Sequence, residues 1–230
     1  MPRRNLIFDA DDTLWENNVL FERAKDVFVR HLAHPTLSRA RVLAALDDVQ
    51  RETITTHGYG VDSFAHSLAV CLTRLRPGAP LSDPDRAALR AACAPIRTPA
   101  PEIIKGVPET LRALADRHAL FLLTKGNRAE QQAKIEASGL APVFAGIGIV
   151  PEKDPAAYQE FCSRHGLDPL DTWMIGNSPR SDVRPALTAG LGAVLVPHPM
   201  TWSLEHAEVP DGHERFRTVD PFTRLAEVFG

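Results

Sequence analysis

Cysteine is scarce in this chain: Cys71, Cys93 and Cys162 are odd in number, far apart and without CxxC spacing. That excludes a disulfide framework and a structural zinc site and leaves each as an expected buried small apolar residue. No apolar run approaches the roughly 18–20 residues of a membrane helix. The short run Leu6-Ile7-Phe8 breaks at Asp9, leaving no signal-peptide core, so a cytoplasmic protein without a membrane partner is expected. An excess of positive charge is also missing: 26 Lys and Arg stand against 29 Asp and Glu, for a net charge of -3 and a pI near 6.3. A nucleic-acid partner is therefore not expected. Nine histidines are present without an HExxH motif, and His31 and His34 flank a helix end with no acid near them in sequence, so both are expected at the surface. Gly146-Ile147-Gly148 begins like a dinucleotide loop, but Pro151 takes the third glycine position, which argues against NAD. Lysine is rare too, 5 against 21 arginines, so each lysine merits separate inspection. What remains is a globular composition, 44% hydrophobic and 24% charged.

The pattern along the chain changes twice. Residues 5–9 read as a short buried strand ending in acid. Within 16–97, four stretches (21–29, 39–54, 63–75 and 85–94) carry apolar residues at helical spacing, divided by His34-Pro35, Gly58-Tyr59-Gly60 and Arg76-Pro77-Gly78. After the joint Thr98-Pro99-Ala100-Pro101, helices over 107–117, 127–138, 154–165 and 179–189 alternate with strands over 119–124, 145–150, 172–176 and 192–197. Residues 199–212 read as loop, followed by a short strand near 216–219 and a last helix. Alternation of this kind predicts an α/β fold, a doubly wound parallel sheet over 1–15 and 98–230 with an all-helical insertion over 16–97.

Ligands of such sheets bind beyond the carboxyl ends of the strands. The first strand ends Asp9-Ala10-Asp11-Asp12-Thr13, the second Thr124-Lys125-Gly126-Asn127; Lys153 follows the third, and the fourth ends Gly176-Asn177-Ser178 with Asp182 beyond. Asp9 and Asp11, two residues apart, are candidates for nucleophile and proton donor, and clustered carboxylates call for a hard cation such as Mg2+. A lysine near the nucleophile and a threonine hydroxyl with strand-end N–H groups would hold phosphate oxygens. Of Lys125 only the backbone N–H is expected to serve, its side chain being solvated, while Asp12 is expected in a turn facing away from Asp9. Ser178 reads as a helix cap, and Asp182, taken alone, as a first-turn acid complementing the helix dipole.

Asp9-x-Asp11-x-Thr13, Thr124, Lys153 and Gly176-Asn177 with Asp182 together resemble the four ordered motifs of the haloacid dehalogenase superfamily. The resemblance implies a Rossmann-like core with a helical cap between the first two motifs. It also implies Asp9 as the nucleophile forming an aspartyl-phosphate and Asp11 as the general acid/base lending its carbonyl to Mg2+. Thr124 becomes a phosphate donor, Lys153 a charge neutraliser and Asp182 a metal ligand. The chain departs from the common pattern at Asn177, a neutral amide where a metal-site aspartate is usual, and at Lys153-Asp154-Pro155, where Lys-Pro is usual. The expected activity is Mg2+-dependent hydrolysis of a small phosphorylated metabolite. Metal-free dehalogenation and a non-catalytic binding role are the alternatives. Asp11 opposes dehalogenation, because an expelled halide needs no proton. Substrate identity and oligomeric state are left open by the sequence.

Overall fold

A computed structural model describes residues 3–97, 100–210 and 212–230, so Thr98-Pro99 of the proline-rich joint lies outside the described residues. The chain divides into two compact units, Met1–Asn18 with Ala100–Gly230, and Val19–Pro99; the sequence reading drew the insertion at 16–97. Strand β1 (Asn5–Phe8) is followed by a turn in which Asp12 takes a φ of 59°, then by β2 (Trp15–Glu16). The second unit is helical: α1 (Asn18–Leu32), α2 (Arg39–His57), α3 (Val61–Leu75) and α4 (Asp83–Cys93) bury Phe28, Leu46, Leu68 and Leu72 among one another. Ser38 caps α2, and Ser82 with Asp85 forms a capping box on α4. His31 is not the free surface residue expected from its neighbours in sequence. Its Nε2 lies 2.6 Å from Asp85, and Arg76 donates both to Asp85 and to the last carbonyls of α1, so residues distant in sequence close one end of the unit.

Back in the first unit, β3 (Glu102–Ile103) pairs antiparallel with β2, a ribbon too short to leave a periodic signal in the sequence. Then follow α5 (Val107–Ala115), β4 (Ala119–Lys125), α6 (Arg128–Ser138), β5 (Gly146–Val150), α7 (Pro155–His165), β6 (Thr172–Gly176), α8 (Arg184–Thr188), β7 (Gly192–Leu195), β8 (Phe216–Thr218) and α9 (Leu225–Val228). The six-stranded sheet is parallel throughout, ordered β5-β4-β1-β6-β7-β8. The chain therefore winds outward from β1 in one direction, crosses back, and winds outward in the other, which puts the reversal beside β1. This is the doubly wound parallel α/β architecture expected from the alternation of elements, and the Rossmann-like core that the family resemblance implies.

Side chains alternate across a strand, so neighbouring residues of β1 serve different cores. Leu6 and Phe8 pack with Leu122, Ile175 and Leu111 on one face; Ile7 packs with Leu123, Met174 and Phe161 on the other. Both faces are covered, and the strands read as continuous apolar runs for that reason. The three cysteines are buried and unbonded, as expected of small apolar residues. Among the described residues no helix is long and apolar enough to cross a membrane. The stretch 179–189 is not one regular helix: Val183 N–H reaches Ser178 O at 3.1 Å, a wide π turn over Pro179–Val183, before α8 begins.

The turn after β1 depends on Asp12. Its Oδ1 accepts the N–H groups of Asn17 and Asn18, both at 2.9 Å, and burial raises its carboxyl to about 6. An amide can accept the same two bonds without bearing a charge. Asp12→Asn should thus keep or raise the urea midpoint at pH 8, whereas Asp12→Ala should lose about 0.5–2 kcal/mol, as other lost caps do.

Candidate active site

The carboxyl ends of β1, β4 and β6 place three groups of side chains close together. Asp9, directly after β1, accepts from Thr13 Oγ1 at 3.1 Å and from Lys153 Nζ through its other oxygen. Lys153 comes from the segment between β5 and α7, and its Nζ also donates to Asp182 Oδ1 at 2.7 Å. The ammonium and both carboxylates are buried. Asp182 is held by its second oxygen, which accepts the Ser178 N–H at 2.9 Å. Its carboxyl packs against Gly176, where a Cβ would collide with it, so the strand end must be glycine. Thr13 ties the set to β6: Asn177 N–H donates to Thr13 Oγ1 at 3.1 Å, and Asn177 Oδ1 lies 3.4 Å from the same hydroxyl.

Two buried carboxylates share one ammonium, so the cluster carries an uncompensated negative charge. Burial pushes the Asp9 carboxyl up to about 7, against the pull of Lys153, with Asp182 and Asp11 adding to the rise. Burial works against the Lys153 ammonium as well, but Asp182 and Asp9 together hold it above the ordinary lysine range.

A second group joins Asp11 and Thr124. Gln131, on α6, places Nε2 3.0 Å from Asp11 Oδ2 and 2.9 Å from Thr124 Oγ1. Lys134, one helical turn further, donates to both Asp11 oxygens at 2.6 and 2.7 Å, and Trp15 Nε1 donates to Oδ1 at 2.7 Å. Asp12 faces away, into its turn, as expected.

The third group corrects the expectation for Lys125. Its side chain is not solvated: Nζ donates to Glu205 at 2.6 Å, to Ser181 at 2.8 Å and to Glu152 at 3.1 Å. Glu205 also accepts from Ser178 Oγ at 2.5 Å and Ser181 Oγ at 2.6 Å; although burial opposes it, Lys125 holds this carboxyl below the usual range. Ser178 caps the turn through Ser181 N–H, as read from the sequence. Thr201 accepts from Asn177 Nδ2 at 3.1 Å. The stretch read as plain loop therefore supplies two anchors of the site.

Gln131, Lys134, Thr201 and Glu205 escaped the sequence reading because no motif marks them. The scarcity of lysine was the available signal: Lys125, Lys134 and Lys153, three of the five, meet the strand ends. Among the described residues, Asp12, Glu16 and His198 also bring oxygen and nitrogen atoms within 4.8 Å of one another. Asp12 Oδ1 is occupied by two N–H groups and His198 Nδ1 by that of Met200, while His198 Nε2 faces Glu16 at 3.2 Å; hydrogen bonding accounts for this cluster without a metal.

The family model for haloacid dehalogenase-like hydrolases matches residues 4–190, and the chain belongs to that family. It is similar to the N-acylneuraminate-9-phosphatase of Mus musculus, 33% identical over 94 residues, which are 39% of this chain and 38% of that one. It is also similar to the phosphoserine phosphatase of Thermus thermophilus, 35% identical over 83 residues, 34% and 33% of the two chains. The matches thus span well under half the length of these relatives. A haloacid dehalogenase-like hydrolase structure from Xanthomonas campestris superposes with a TM-score of 0.84 at 29% identity, covering 98% of this chain and 90% of that one. The L-2-haloacid dehalogenase of Xanthobacter autotrophicus, at 17% identity, 98% coverage of both chains and a TM-score of 0.63, shares the fold alone.

The raised carboxyl of Asp9 has a consequence for stability. An acid whose folded pKa lies above its ordinary 3.8 keeps a proton that the unfolded chain releases, so the contribution of Asp9 to stability falls as pH rises between about 4 and 7. In chelator-containing buffer Asp9→Asn should unfold at higher urea than wild type at pH 8, with the gap closing towards pH 4. A pH-independent difference would show that the charge on Asp9 carries no such cost.

Proposed function

We propose that this chain is a cytoplasmic phosphohydrolase acting on a small phosphorylated metabolite, with Asp9 as nucleophile, Asp11 as general acid/base and Mg2+ as cofactor. The observation that carries the reading is the pairing of Asp9 with Lys153 at the end of β1, with a second acid, Asp11, two residues on. Family membership and the two phosphatase relatives support it.

In the first step an Asp9 oxygen attacks phosphorus, the bond to the leaving oxygen breaks, and that oxygen takes the proton of Asp11. Water then attacks phosphorus and gives one proton to Asp11; the Asp9–phosphorus bond breaks, releasing phosphate and restoring both acids. Thr124 Oγ1, the Lys125 N–H and the Lys153 ammonium are the groups assigned to the phosphate oxygens. Tyr158 is buried and donates to Ser181 O at 2.8 Å; burial, with Asp182 and Asp9 adding to it, raises its pKa, so it remains neutral beneath the site.

The residues fit a hard divalent cation. Asp9 Oδ2 and Asn177 Oδ1 both face Thr13 Oγ1, bringing two oxygen donors together beside an uncompensated buried charge. Asp9, the Asp11 carbonyl and Asn177 are the proposed holders, with Asp182, whose oxygens already serve Lys153 and Ser178, completing the set. When bound, Mg2+ supplies positive charge that offsets the repulsion between Asp9 and the phosphate.

The test is a screen of phosphorylated metabolites with Mg2+, read as phosphate release, alongside Asp9→Asn. That variant should lose activity entirely, because an amide does not attack phosphorus; release above about a tenth of the wild-type rate would remove Asp9 from the nucleophile's role. Halide release from a 2-haloacid in chelator, with no phosphate release, would establish the dehalogenase alternative instead. Asn177→Asp adds an anionic donor and should lower the half-saturating Mg2+ in calorimetric titration; an unchanged or raised value would place residue 177 away from the ion.

A further inference from the structure

Helix α6 directs two side chains, three residues apart and hence on one face, at the same carboxylate. Lys134 Nζ reaches both oxygens of Asp11 and continues to Asn17 Oδ1 at 3.2 Å. Gln131 Nε2 has three acceptors within reach for its two hydrogens: Asp11 Oδ2, Thr124 Oγ1 and Lys125 O, the last at 2.8 Å. Its Oε1 is buried without a hydrogen-bond partner. Leucine would fill this volume without stranding a carbonyl, so packing does not account for the amide. What the amide adds is a donor shared by Asp11 and Thr124.

We infer that Gln131 and Lys134 are positioning residues for the general acid, holding the Asp11 carboxyl in a fixed orientation relative to Thr124. The inference rests on the phosphohydrolase reading. Lys134 engages both oxygens from one side, Trp15 Nε1 holds Oδ1 from the β1–β2 segment, and Gln131 measures the spacing to the hydroxyl assigned to the phosphate. A proton can pass to a leaving oxygen only over hydrogen-bond distance, so an acid freed to rotate loses the transfer before it loses the nucleophilic step. A pair that merely tied α6 to the end of β1 would act on stability and on all substrates alike.

The leaving group separates these cases. An activated aryl phosphate departs without a proton, whereas an alkyl phosphate needs one. Wild type, Lys134→Met, Gln131→Leu and Asp11→Asn are compared by kcat/KM on p-nitrophenyl phosphate and on an alkyl phosphate, with thermal melts run in parallel. The expected result is an alkyl-phosphate loss at least about tenfold larger than the aryl-phosphate loss in both positioning variants, in the direction set by Asp11→Asn, since a placed acid contributes typically ~10²–10⁴-fold. Equal losses on the two esters, or none, in variants that melt as folded proteins overturn the inference. Should Lys134→Met fail to fold, Gln131→Leu decides by the same ratio. A wild type that releases phosphate neither from these esters nor from any metabolite of the screen overturns the phosphohydrolase reading itself, and the inference with it; a wild type active on both esters, with variants indifferent to the leaving group, overturns the inference alone.

Discussion

Asp9 and Asp182 share one buried ammonium, that of Lys153. Removing the ammonium would strand two buried carboxylates, typically at a cost of several kcal/mol, so Lys153 is the group that holds both acids in place. Much of the local structure follows from that constraint. The wide turn after β6 brings Asp182 back over the strand end, and Gly176 is glycine because the carboxyl occupies the position of its Cβ. Asp9 sits at the end of the central strand, where the two winding directions of the sheet part, and chains from both sides reach it there.

In the proposed mechanism the burial that raises the Asp9 carboxyl, with Asp182 and Asp11 adding to it, makes the site receptive to a cation. A carboxyl near 7 in the absence of a cation is a poor nucleophile at lower pH, and a neighbouring positive charge restores its ionised form. Cofactor binding and nucleophile activation are thus one electrostatic event in the proposed mechanism. Asn177 tempers it, since its amide offers an oxygen without adding further negative charge to a cluster already short of cations.

Around this centre the segment between β7 and β8 acts as a brace. Thr201 and Glu205 bond the Asn177–Ser181 turn, Leu204 O accepts from Arg180, and Lys125 joins Glu205 to the end of β4. Glu205 has its negative charge balanced by Lys125 and its lone pairs filled by two serine hydroxyls, which makes its burial tolerable. On the other side, α6 braces Asp11 and Thr124 in the same manner through Gln131 and Lys134.

Local patterning in the sequence determined the alternation of strands and helices, the parallel sheet and the positions of Asp9, Asp11, Thr124, Lys153, Asn177 and Asp182 at strand ends, because periodicity and chain order are properties of neighbouring residues. The Ser178 cap was legible for the same reason: donor and acceptor lie within three residues. Tertiary structure alone decided which cation meets which acid. Lys134 finds Asp11 across 123 positions, Glu205 finds Lys125 across 80, and Asp85 finds His31 across 54. Nothing local encodes such pairs; they form when packed elements exclude water, and the buried carboxylates are left to the few donors that the fold has brought within reach.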